Sequence, residues 1–273
     1  MLNIVFEDDS LLVLSKLSGQ IVNRAETTAS VVTLQEELEK YLGIKDPQEG
    51  IGGRAGIGRP DFVGPSNSAR GIGGRAGIVH RLDKETSGIL VVAKTPEAFE
   101  NLQAQFKTRR VDKEYLTLVH GKTDGEGRIH APIARHPRLR RRFAVVEGGR
   151  ESVTAYWREA LLTNGEEMDG RLRRPSNRRI EPALYSYLRV HPLTGRTHQI
   201  RVHLKHIGHP VVSDPLYLSP KRLTQDLSFC PRLFLHATSL AFTHPTTGAR
   251  MRFDADLPKD LQAVLSHLTA PDF

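Results

Sequence analysis

Short apolar runs punctuated by turn residues dominate the chain, and helical spacing is confined to a few stretches. Ile4-Val5-Phe6 and Leu11 to Ser15, parted by Asp8-Asp9-Ser10, predict strand, turn and strand, closed by Lys16-Leu17-Ser18-Gly19. Leu34, Leu38 and Leu42 share one helical face, with Gly43 as a stop. Ile89 to Ala93 is a continuous apolar run of the kind a buried strand shows. Thr95-Pro96-Glu97 opens a helix with a capping hydroxyl, a proline in the first turn and an early acid, and Phe99, Leu102 and Phe106 line one face of it through Thr108. Lys113 to Val119 and Leu184 to His191 predict strands, the second turning at Pro192-Leu193-Thr194-Gly195. Thr197 is then the expected cap of a helix from His198 to Ile207, ended by Gly208, with Ile200, Leu204 and Ile207 toward a core. Strand patterns return at Leu233–Phe242 and Arg250–Phe253, and Leu261–Leu268 predicts a closing helix.

Residues 44–77 break the pattern. The octamer GIGGRAGI stands at Gly50–Ile57 and again at Gly71–Ile78, an offset of 71 − 50 = 21 residues. Glycine this dense predicts a mobile loop rather than an element. No Lys-Ser or Lys-Thr follows the glycines, so the stretch is not a phosphate loop, and two copies do not make a solenoid. It reads as a local duplication that lengthened the loop entering the next motif. Arg54, Arg59, Arg70 and Arg75 are placed either to touch phosphates or to serve as inert linker.

Charge narrows the class. Lys and Arg number 39 against 31 Asp and Glu, a net +8 with a pI near 9.7, which points to a polyanionic partner. One cysteine, Cys230, excludes an internal disulfide framework and a cysteine-rich zinc site. The start lacks the pattern of a signal peptide, and no run approaches the ~18 apolar residues of a membrane span, so a soluble, cytoplasmic monomer is expected. Arg135, Arg138, Arg140, Arg141 and Arg142 fall within eight residues. Arg171, Arg173, Arg174, Arg178 and Arg179 form a second cluster. Guanidinium forks match phosphate oxygens, and the absence of interleaved aromatics argues against base stacking. His191, His198, His203, His206 and His209 invite a metal reading, but there is no His-Glu-x-x-His, no cysteine partner and no ligand spacing to Asp214.

The candidate chemistry lies just before the buried run. His80, Arg81, Asp83, Lys84 and Glu85 precede the turn Thr86-Ser87-Gly88, so a polar loop leads into a buried strand. Asp83 has cationic neighbours that favour its charged form and keep it available as a nucleophile. The bland alternative is a solvated turn whose charges pair with one another.

The run IVHRLDKETSGILVVAK, seventeen positions from Ile78 to Lys94, resembles the second motif of the pseudouridine synthases, in the family named for the ribosomal and transfer RNA uridine isomerase A. RVHPLTGRTHQIRVHLKHIGHPVVSDPLY, Arg189 to Tyr217, is similar to that family's third motif. Lys113-Glu114-Tyr115 resembles its intermediate tyrosine motif, and Phe6 to Val13 with Lys16 and Gly19 its first; Leu17 stands where the family usually has proline. The resemblance implies an α+β pseudouridine synthase fold, a mixed, largely antiparallel central sheet flanked by helices and loops. It also implies a single catalytic domain over residues 1–273, without the N-terminal RNA-binding domain of many relatives. It places the nucleophile on Asp83, the tyrosine that packs on the target uracil on Tyr115, and on Arg201 the arginine that pairs with the aspartate. Arg81 is the expected holder of the extruded nucleotide, and Arg135, Arg138, Arg140, Arg141 and Arg142 the expected grip on RNA. The implied reaction breaks the N1–C1′ bond of uridine in ribosomal or transfer RNA and reattaches the base through C5, with no cofactor or metal. The competing expectation is a catalytically silent RNA-binding protein on the same fold.

Overall fold

The computed structural model describes residues 2–24, 31–44, 74–164 and 183–271. The first octamer, with Arg54, Arg59 and Arg70, and the cluster Arg171–Arg179 lie outside the described residues. The chain opens with β1 (Ile4–Glu7), β2 (Leu11–Lys16), α1 (Leu34–Tyr41), β3 (Ser87–Ala93) and α2 (Pro96–Lys107). There follow β4 (Asp112–His120), β5 (Glu126–His130), β6 (Ile133–Arg135), β7 (Phe143–Val145), β8 (Val153–Thr163) and β9 (Leu184–Pro192). It closes with α3 (Gln199–His206), α4 (Pro220–Leu227), β10 (Leu235–Thr243), β11 (Arg250–Asp254) and α5 (Lys259–Ser266). This is the α+β class with a largely antiparallel sheet that the motifs implied. Contacts group the chain into two compact units, 1–111 with 240–254 and 112–239 with 255–273.

In the first unit β1 pairs with β2 and β2 with β3, all antiparallel, from Leu11↔Ala93 to Lys16↔Gly88. All seven residues of β3 are buried, which explains a run without polar alternation. Each Val, Leu or Ile so buried contributes about 1.5–3 kcal/mol relative to exposure. The β1–β2 turn is tied by Asp8, whose Oδ1 accepts from the backbone N–H groups of Ser10 and Leu11 at 2.8 and 2.9 Å. Its Oδ2 lies 2.8 Å from His244 Nε2. His244 Nδ1 accepts from the backbones of Thr246 and Thr247, so Nε2 carries the ring proton and donates it to Asp8. Burial pushes the Asp8 carboxyl up, but the bonds from His244, Ser10 and Leu11 outweigh it and hold the pKa at about 2. A depressed carboxyl stabilises the fold above its unfolded pKa of about 3.9 and stops doing so as pH falls toward about 2. The stability gap between the native chain and Asp8→Asn should therefore be constant above about pH 5 and close on acidification, as read by urea midpoints across pH.

The last residues of the second octamer are held against this sheet. Gly77 has φ +77°, and a Cβ there would sit 1.9 Å from the carbonyl oxygen of Ala93. Ala93 in turn donates its N–H to the Gly77 carbonyl at 2.9 Å, and Ile78 bridges to Val92. The expected loop thus ends in a fixed seam along β3. Gly77→Ala should lower stability by about 2 kcal/mol or more, measurable by urea unfolding, because both the backbone angle and the close approach exclude a methyl group.

In the second unit β4 pairs with β9, β9 with β8 and β8 with β5, all antiparallel. Successive residues face opposite sides. On one side Val119, Leu188 and Val190 pack with Ile200 and Leu204 of α3; on the other Leu118 and Tyr185 pack with Leu261 and Val264 of α5. β6 and β7 form a separate two-stranded hairpin.

Candidate active site

Asp83 belongs to the first unit, on the loop that enters β3. The loop is fixed from beneath. Lys16, at the end of β2, is 2% exposed, and its Nζ donates to the carbonyls of Leu17, Gln20 and Lys84 at 2.7, 2.9 and 3.1 Å. Gly19 N–H donates to the same Lys84 carbonyl at 2.8 Å, and Ser18 Oγ to that of Glu85 at 2.7 Å. His80 Nε2 accepts from the Val91 N–H at 3.0 Å, and its ring stacks on Phe106 with centroids 4.5 Å apart. Leu82 is buried and Thr86 N–H closes the turn on the Asp83 carbonyl at 3.1 Å. Between these anchors Asp83 stays partly exposed and Arg81 is exposed. Leu17, in the place of the usual proline, is 65% exposed and its carbonyl still serves Lys16.

Tyr115 and Arg201 belong to the second unit. Tyr115 stands opposite Val190 in the β4–β9 ladder and packs against the cluster that holds Ile200 and Leu204 of α3. Arg201, on α3, is 2% exposed. Its Nε and Nη2 each donate at 2.7 Å to the two oxygens of Asp214, which is fully buried. Asp214 Oδ1 also accepts from the N–H groups of Leu216 and Tyr217, at 2.9 and 3.1 Å. This fork-to-fork pair fixes the orientation of the guanidinium. Asp214, dismissed as a metal ligand, is thus a component of the arginine's setting that sequence spacing did not reveal.

The expected helix cap is different from the one found. α3 begins at Gln199, and its N-cap is His198 in the left-handed conformation, φ +56°, with no side-chain cap. Gln199 takes over the ordering of the turn: its Oε1 accepts from Thr194 Oγ1 and Arg196 N–H, and its Nε2 donates to the Val153 carbonyl. The His198 ring is within hydrogen-bonding distance of the Tyr217 hydroxyl, 3.0 Å, and stands edge-on to Phe143 of β7. That hydroxyl also accepts the Phe143 N–H at 3.0 Å. His203, another of the histidines, places Nδ1 2.8 Å from Thr154 Oγ1 and Nε2 3.0 Å from the Ala131 carbonyl.

The first arginine cluster is the β6–β7 hairpin. His136 Nδ1 accepts from the N–H groups of Arg138 and Leu139, and Arg135 Nη1 donates to the Arg140 carbonyl at 2.8 Å. Arg135 also lies over the Phe143 ring, 5.4 Å from its centroid. Arg138, Arg140 and Arg141 project into solvent and Arg142 is partly covered. Through Phe143 the hairpin is attached to Tyr217 and His198, next to the start of α3.

Comparison with known proteins places the chain in one family. The model of a family described as RNA pseudouridylate synthase matches residues 62–206. A relative from Zymomonas mobilis named ribosomal large subunit pseudouridine synthase D is 35% identical over 273 residues, covering 98% of this chain and 73% of its own. One from Chloroflexus aurantiacus, an uncharacterized RNA pseudouridine synthase, is 46% identical over 191 residues, or 70% of this chain and 53% of its own. Among solved structures, human RNA pseudouridylate synthase domain containing 1 superposes with a TM-score of 0.65 at 25% identity, covering 97% of this chain and 87% of its own.

Proposed function

We propose, since this chain belongs to the RNA pseudouridylate synthase family and is an isomerase of that kind, that Asp83 is its nucleophile and large-subunit ribosomal RNA its substrate. The observation that carries the first part is the Asp83 loop. Hydrogen bonds from Lys16, Gly19 and Ser18 and the His80 acceptor hold its backbone, while Asp83 itself stays partly exposed. A nucleophile needs that combination, because a carboxylate free to swing forfeits the orientation that makes attack fast.

The reaction balances without a redox partner. The N1–C1′ bond of uridine breaks, a C5–C1′ bond forms, the C5 proton leaves and N1 gains one. An ionised Asp83 attacks either the ring or C1′, and Tyr115 packs on the uracil beside the path of the C5 proton. Arg201, locked by Asp214, offers a charge of fixed direction. Arg81 holds the nucleotide outside its helix, and Arg135, Arg138, Arg140, Arg141 and Arg142 grip the backbone. The substrate assignment is supported by the name of the Zymomonas relative. In this reading the protein acts as a cytoplasmic monomer with neither metal nor cofactor.

The test is tritium release from RNA labelled at uridine C5, with large-subunit ribosomal RNA and transfer RNA supplied separately. Release from the ribosomal RNA alone, followed by mapping to one uridine, supports the reading. Release from transfer RNA alone overturns the substrate, and release from neither overturns the activity.

A further inference from the structure

The period of β4 puts Lys113 on the same side as Tyr115, Thr117 and Val119, toward α3. Its neighbour Glu114 faces away and pairs with Arg189, which also holds Glu159, at 3.2 and 2.8 Å. Glu114 and Glu159 are thereby taken up with Arg189, away from Lys113. Lys113 is partly buried, and its Nζ lies over the turn after β9, 3.8 Å from where a Cβ on Gly195 would stand. Among the described residues it makes no hydrogen bond and no ion pair. Burial pushes its ammonium down to about 8, against a smaller opposing effect of Asp112, so it remains cationic at neutral pH.

A desolvated, unpaired cation is a cost to the fold, and such costs persist where function uses them. The missing counter-charge is expected from the polyanion that a +8 chain binds. Same-side residues on a strand are about 6.6–6.8 Å apart, a span that lets one nucleotide lay its base on the first residue and its phosphate on the second. We infer that Lys113 is a positioning residue that binds a backbone phosphate of the nucleotide stacked on Tyr115, and so sets the depth at which the base is held. The inference rests on the reading of Tyr115 as the uracil platform.

The test compares the native chain with Lys113→Met and Lys113→Arg, each bound to an unmodified large-subunit ribosomal RNA transcript between about 50 and 200 mM KCl. Lys113→Met should weaken binding about tenfold or more and reduce the salt slope, log K against log[KCl], by about 0.7–0.9. Lys113→Arg should keep the slope. Removal of a buried unpaired charge should also leave the melting temperature of Lys113→Met unchanged or raised, which a structural role for the lysine does not produce. An unchanged slope in Lys113→Met, or a changed one accompanied by a lower melting temperature, overturns the inference. Should the native chain release no tritium from any RNA, the reading of Tyr115 falls first and the inference with it. Should it release tritium while the slope stays fixed, only the role of Lys113 falls.

Discussion

Asp83→Asn should bring tritium release to background, a loss on the order of 10⁴-fold or more in kcat, while RNA affinity stays within a few-fold of native. The amide matches the carboxylate in shape, so the anchors around it are undisturbed: the Lys84, Glu85 and Asp83 carbonyls they use are backbone atoms. What is lost is the anionic oxygen. The RNA contacts proposed for the exposed arginines of the β6–β7 hairpin do not depend on it. Single-turnover release and a filter-binding isotherm on the same RNA separate the two quantities. A variant that released tritium at the native rate would remove Asp83 from the chemistry, and equal losses in rate and affinity would make it a binding contact. A catalytically silent RNA-binding protein predicts no difference between the two forms.

Asp214→Ala should cost about 3–5 kcal/mol of stability, because it leaves the Arg201 guanidinium buried without its carboxylate. Two backbone donors, Leu216 and Tyr217 N–H, lose their acceptor as well. Urea unfolding reads the loss directly. Combining Arg201→Met with Asp214→Leu should restore most of it, since a buried ion pair replaced by apolar groups of similar size is often neutral. The restored fold should nevertheless remain inactive. If the double variant turned over RNA normally, the pair would be only a structural tie. Burial already argues that Arg201 is not an ordinary phosphate contact: at 2% exposure it is far less accessible than the arginines of the hairpin.

The legible parts of this fold were those in which local chemistry and burial agree. β3 is apolar throughout because both faces are covered, and α2 announces itself through Thr95 and Pro96, the cap and first turn found. β8 escaped notice because its register shifts between Arg158 and Ala160, which breaks the alternation that marks a strand. α4 escaped because it buries only Asp226, a carboxylate that accepts from Ser213 N–H and meets His120 rather than an apolar partner. The α3 cap was misplaced by one residue because the turn is ordered by the Gln199 side chain, a tertiary arrangement that leaves His198 in the left-handed region. Among the proposed functional residues the sequence singled out Asp83, Tyr115 and Arg201 but not their supports. Lys16 acts 68 residues from the carbonyl it holds, and Asp214 and Tyr217 act through contacts that spacing does not encode.

The seam at Gly77 bears on how this gene can vary in length. The two octamers are identical, so an exchange between them deletes 21 residues and still leaves GIGGRAGI ahead of Val79. The glycine pressed on Ala93 is regenerated at the junction, and no residue from Val79 onward changes. The same exchange run in reverse adds another 21. A change of copy number upstream of the seam is thus one to which the β3 contact is blind, a place where the protein can be lengthened or shortened in whole repeats.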